Sequence, residues 1–93
     1  MAEKGAVRFT AYCLARMKER GLSREQIEAV LGSPGQDLLA KKGRHVAQSV
    51  TTSPQRGKRA LIRVFYEDIG EERVVINAYV TERPERYWVG EWP

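Results

Sequence analysis

The segment from Phe9 to Ser23, reading FTAYCLARMKERGLS, constrains this chain more than any other part of it. Thr10 carries a hydroxyl suited to accept from an unpaired amide at a helix start. Cys13, Leu14 and Met17 then recur at helical spacing, and Gly21 can take the left-handed conformation that closes a helix. The spacing predicts a helix over 11–20 whose apolar set, Cys13, Leu14 and Met17, turns away from Tyr12, Arg16 and Arg20. Ser23, with Gln26 three residues on, forms a capping box for a second helix. Its apolar stripe is Ile27, Val30 and Leu31, and the breaker cluster Gly32-Ser33-Pro34-Gly35 ends it.

Beyond this helical hairpin (about 11–32), the chain reads as strands. Asp37–Lys41 and Arg44–Thr52 flank a tight turn at Lys42-Gly43. Residues 53–57 form a loop, and Arg59–Glu67 and Arg73–Thr81 are rich in branched and aromatic residues. The last two strands make an antiparallel hairpin around Asp68–Glu71. Val7–Phe9 adds a short first strand. The expected class is α+β: a two-helix hairpin on a three- to four-stranded antiparallel sheet (about 37–81), followed by an aromatic tail, 83–93.

The 93 residues suit one domain with a modest core. No apolar run reaches the roughly 20 residues that span a bilayer, and Met1–Val7 lacks the apolar stretch of a secretory leader. Cys13 is the sole cysteine and His45 the sole histidine, so the usual four-ligand zinc site cannot be built within one chain, and no cofactor is expected. A lone cysteine gives no disulfide, which makes the cytoplasm the expected compartment.

Charge is segregated. Lys41, Lys42, Arg44, Arg56, Lys58, Arg59 and Arg63 fall in a window without Asp or Glu, whereas residues 64–93 carry an excess of acids. Such a field attracts polyanions, nucleic acid foremost. Strand alternation adds a second signal. Ala60, Ile62, Val64 and Tyr66 share one face, as do Val74, Ile76, Ala78 and Val80 of the partner strand, and these meet the helices. The opposite face carries Leu61, Arg63 and Phe65 beside Arg73, Val75, Asn77, Tyr79 and Thr81. Aromatic rings there can stack on bases while arginine neutralises phosphate. A dimer interface or an ordinary solvated face remains an alternative reading. Arg16 and Arg20 could clamp a phosphate, or pair with Glu25 or Glu28 and pin the hairpin. The tail, with Tyr87, Trp88 and Trp92, is expected to fold back on the sheet or to anchor a partner.

Two segments together resemble a small bacterial family, domain of unknown function 4258. The matching residues are Thr10, Tyr12-Cys13, Arg16-Met17 and Arg20-Gly21-Leu22-Ser23, then Ser33-Pro34, then Ile76-Asn77-Ala78-Tyr79 and Tyr87-Trp88. The resemblance implies a fold similar to the RelE/ParE toxins, two helices on an antiparallel sheet. RelE-like members cleave messenger RNA on the ribosome and ParE-like members act on gyrase. The resemblance therefore implies RNA or the ribosome as partner with messenger-RNA cleavage as an activity, or else gyrase as target, and an acidic antitoxin-like protein as a second partner. For a ribonuclease, Arg16, Arg20, Arg63 and Tyr79 would bind phosphate and stabilise the transition state. Tyr12 stands where the family has histidine, and a phenol with a pKa near 10 is a poor general base. The alternative is a non-catalytic interaction domain that acts as a homodimer or on an acidic partner.

Overall fold

In the computed structural model, residues 6–53 and 55–93 are described. The first five residues, read above for a leader, and Pro54 of the loop lie outside them. The elements are β1 (Ala6–Phe9), α1 (Ala11–Arg20), α2 (Arg24–Gly32), β2 (Gln36–Leu39), β3 (His45–Thr52), β4 (Arg59–Ile69) and β5 (Glu72–Thr81). Three-residue 3₁₀ turns occupy Lys41–Gly43 and Pro84–Arg86.

The helix signals act as their chemistry requires. Thr10 Oγ1 accepts from the Cys13 amide at 3.0 Å. Gly21 closes α1 in the left-handed region at φ 70°, a conformation that costs a β-carbon-bearing residue about 1–2 kcal/mol. Ser23 and Gln26 exchange both bonds of a capping box, at 2.8 and 3.2 Å.

The inward face of α1 differs from the expected one. Cys13 and Met17 are buried, but Leu14 is 38% exposed. Successive helical residues are rotated by about 100°, so Leu14 lies well round from Cys13, while Arg16 and Arg20 flank the buried stripe and are themselves only partly exposed. Arg20 therefore points toward the sheet.

The sheet is five-stranded in the order β1-β5-β4-β3-β2, and β1 runs parallel to β5. It is thus mixed, not a three- to four-stranded antiparallel sheet. Four residues of β1 suffice because they pair beside the last strand, and Thr10 N–H still donates to the Val75 carbonyl at 3.1 Å. Both helices lie on one face, over a core of Phe9, Cys13, Met17, Leu22, Ile27, Val30, Ala47, Ile62, Val64, Tyr66, Val75 and Ala78.

A bulge alters the expected face of β5. Phe65 pairs with Asn77, yet Tyr66 pairs with Val75, so Ile76 is the extra residue. The alternation resets there. Val75, not Val74 or Ile76, joins the helix-side core.

Neither α1 nor α2 lies on the opposite face, yet Leu61, Val46 and Gln48 are buried there. The tail crosses it, as the expectation of a fold-back onto the sheet required. Pro84 is buried, Trp88 and Trp92 meet edge to face at 5.4 Å, and Arg59 sits 5.3 Å over the Trp92 ring.

Candidate nucleic-acid interface

Gln36, Gln48, Arg63 and Tyr79 occupy successive strands β2, β3, β4 and β5 in direct register, forming one polar rung across the sheet. Cross-strand neighbours sit about 4.5–5.5 Å apart, which lets these side chains bond in sequence. Arg63 Nε donates to Gln48 Oε1 at 2.9 Å, and Arg63 Nη1 donates to the Tyr79 hydroxyl at 2.7 Å. Gln48 Nε2 donates to Gln36 Oε1 at 2.7 Å and to the Tyr87 carbonyl at 3.1 Å. Gln36 then holds the tail backbone, donating to the Val89 carbonyl at 2.7 Å and accepting from the Val89 amide at 3.1 Å. Gln48 is fully buried, so its amide is usable only because every group finds a partner.

Aromatic rings surround the Arg63 guanidinium. It lies 4.2 Å from the Tyr87 ring centroid, 5.2 Å from Phe65 and 5.8 Å from Tyr79. Phe65 and Tyr79 stack at 5.9 Å. These distances fall within the range of a cation–π contact.

Arg20 approaches Tyr79 from the other side, 6.0 Å from its ring. Its Nη1 donates to Asn77 Oδ1 at 3.0 Å and to the Ala78 carbonyl at 2.8 Å, while the Ala78 amide donates to Asn77 Oδ1 at 2.9 Å. β1 ends opposite Val75, so among the described residues this part of β5, paired to β4 on one side, has no strand on the other. Arg20 and Asn77 supply the partners that a strand would otherwise give the Ala78 peptide groups. The expected pairing with Glu25 or Glu28 does not occur; Arg16 instead bonds Glu19 at 2.8 Å and lies 5.2 Å over Tyr12.

Charge partners divide the arginines, and among the described residues Arg20 and Arg63, like Arg24, Arg59, Arg83 and Arg86, make no ion pair with a carboxylate. Arg8, Arg16, Arg44, Arg56 and Arg73 each pair with a carboxylate. Among the described residues, Arg20 and Arg63 bond only to amide, carbonyl and hydroxyl groups. Their positive charge is left uncompensated beside a partly exposed aromatic surface.

The residues named from sequence are thus only partly brought together. Arg20, Arg63, Asn77 and Tyr79 form one cluster. Arg59 shares the face of Arg63 four positions along β4, about 13 Å away. Arg56 and Lys58 lie in the turn before Arg59, with Arg56 reaching Glu82 at 3.7 Å. Lys41, Lys42 and Arg44 sit past the other end of β3, about 26 Å from that turn along eight strand residues. The basic window therefore divides into two groups. Arg16 belongs to neither.

Gln36 and Gln48 were not picked out from sequence. A glutamine in a strand has no signal until register and the covering tail are known.

The helix-side face holds a second polar group. His45 stacks on Tyr66 at 5.1 Å, and Arg73 lies 4.2 Å over the same ring. The Tyr66 hydroxyl donates to Asp37, at 2.8 and 2.7 Å from its two oxygens. Burial, and then the hydrogen bond to Asp37, push the Tyr66 phenol well above its ordinary value of 10.0. Burial also raises the Cys13 thiol above 9.0. Among the described residues no cluster of three metal-ligating side chains occurs, and no helix is long and apolar enough to cross a membrane.

Comparison with known proteins gave no match: no family model, curated protein or solved structure aligns significantly with this chain.

Proposed function

We propose that this chain is a small RelE/ParE-like domain that binds RNA, free or on the ribosome, through the tail-side face of its sheet. The observation that carries this reading is the pair of carboxylate-free arginines, Arg20 and Arg63, placed on either side of Tyr79. Guanidinium groups with free N–H donors suit phosphate oxygens, and Tyr79 and Phe65 offer rings of the kind on which unpaired bases stack. Arg59 extends the basic line along the same strand. A helical hairpin on one face of a sheet agrees with the fold that the family resemblance implies.

Binding is favoured over cleavage. Two guanidiniums and a phenol can stabilise charge developing on a phosphate. The single imidazole, His45, stacks on Tyr66 on the other face of the sheet, so it cannot serve there as a base. Messenger-RNA cleavage is the more demanding form of the proposal, with Arg20, Arg63 and Tyr79 binding the phosphate and stabilising its developing charge.

Expression in a bacterial host together with an RNA-binding titration tests both forms. Growth arrest with loss of bulk message supports cleavage. Binding without either effect supports the binding domain alone. Absence of binding, arrest and message loss overturns the reading.

A second reading, an interaction domain that forms a homodimer or takes an acidic partner, is favoured by the exposure of Leu39 (76%) and Val89 (60%). Sedimentation separates the two: a tight dimer supports it, and a monomer at micromolar concentration argues against it.

A further inference from the structure

We propose that the tail is a strap that regulates this same face, with Tyr87 occupying over Arg63 the stacking position that an RNA base takes when the strap opens. The inference rests on the RNA-binding reading and adds to it a closed and an open state.

Three observations support a seated but releasable strap. The tail is tied to the sheet chiefly through side chains at its middle. Gln36 grips both backbone groups of Val89, and Gln48 holds the Tyr87 carbonyl. Within the tail, Glu85, Arg86, Tyr87, Val89, Gly90 and Glu91 all remain exposed, so little of its surface is committed to the sheet. Its third anchor is the Trp88 ring against Gly35, where a β-carbon would stand only 3.1 Å from the Trp88 ring and 3.2 Å from the Gln48 carbonyl. The glycine lets the ring come this close.

Beneath the strap lies the chemistry that a single-stranded RNA uses. Arg63 presents a flat cation that already lies over an aromatic ring, Tyr87, 4.2 Å from its centroid. A nucleobase is a planar π-system of comparable reach, and base stacking on aromatic or guanidinium planes tolerates any sequence. Arg59 makes the equivalent contact with Trp92, at 5.3 Å. The tail thus places two rings over two arginines spaced along β4. Lifting it uncovers the half-buried Arg63 and frees the ring-facing side of Arg59, which is otherwise exposed already. The apparent affinity for RNA is then the open state's affinity multiplied by the fraction of time the face is open.

Two full-length variants that leave Arg59, Arg63, Tyr79 and Tyr87 unchanged test the strap. Gln36→Ala removes the grip on Val89, and Trp88→Ala removes the packing on Gly35. Each is titrated with a fluorescein-labelled single-stranded RNA dodecamer, and circular dichroism reports folding. Both variants are expected to bind about tenfold more tightly than the unaltered protein. A second measurement needs no substitution: saturating RNA should speed hydrogen exchange at the Val89 amide of the unaltered protein. If that protein binds RNA and neither affinity nor exchange changes, the strap is wrong and the RNA reading survives. If RNA binds neither the unaltered protein nor the variants, both fall.

Discussion

Arg63 and Gln48 stand directly opposite one another on β4 and β3, and the arginine Nε donates to the amide oxygen at 2.9 Å. This bond orients the guanidinium across the sheet. It also couples it to the tail, since the same amide donates to the Tyr87 carbonyl.

Gln48→Ala removes a fully buried amide that serves Arg63, Gln36 and Tyr87 together. An unsatisfied buried polar group costs about 1–3 kcal/mol. The variant should lose roughly 2–3 kcal/mol in urea unfolding, and its tryptophan emission should shift to the red as the tail loosens. An unchanged emission would show that the tail is held independently of this rung.

Arg20 and Arg16 should behave differently although they lie one helical turn apart. Arg20 closes the open edge of β5 at Ala78 and Asn77, so Arg20→Ala should cost about 1–2 kcal/mol and weaken RNA binding. Arg16 makes an exposed pair with Glu19, and Arg16→Ala should leave the melting temperature essentially unchanged. Thermal denaturation of the two single variants checks the contrast, and equal losses would contradict it.

Much of this was legible in the sequence because local chemistry decided it. Thr10, Gly21, Ser23 and Gln26 act within a few residues of themselves, so both helices stand where their caps place them. The β4–β5 hairpin was equally readable. The bulge at Ile76 was not, since nothing in Val74-Val75-Ile76 distinguishes an inward branched residue from an outward one. The parallel pairing of β1 depends on contacts more than sixty residues away in sequence. Arg63, Tyr79, Arg20 and Asn77 could be named as candidates, but the buried glutamines that organise them became visible only with the register.

Tyr66 gives the protein an alkaline limit. Its folded phenol titrates above the unfolded value of 10.0, so its stabilising contribution is complete below about pH 10 and is lost as pH rises through the folded value. Tyr66→Phe should be less stable at neutral pH by about 1 kcal/mol, because Asp37 is exposed and regains water. Its stability should then fall less steeply than that of the unaltered protein above pH 10. Parallel pH profiles from urea midpoints would contradict this assignment.

Cys13 is wholly buried, and its thiol lies 3.6 Å from Met17 Sδ. Burial holds it protonated, so it should react with an aromatic disulfide reagent at pH 8 only as fast as the protein unfolds. Rapid labelling of the folded protein would show that α1 opens on its own.

In the proposed complex it is Arg63 that meets RNA. The most direct test of this contact is an anisotropy titration of single-stranded RNA with the unaltered protein and Arg63→Gln at several salt concentrations. The unaltered protein should bind in a salt-dependent manner. Arg63→Gln should bind at least about tenfold more weakly, with a salt slope shallower by about 0.7 for one phosphate contact removed. Equal affinities with equal slopes, while both proteins remain folded, would contradict the contact.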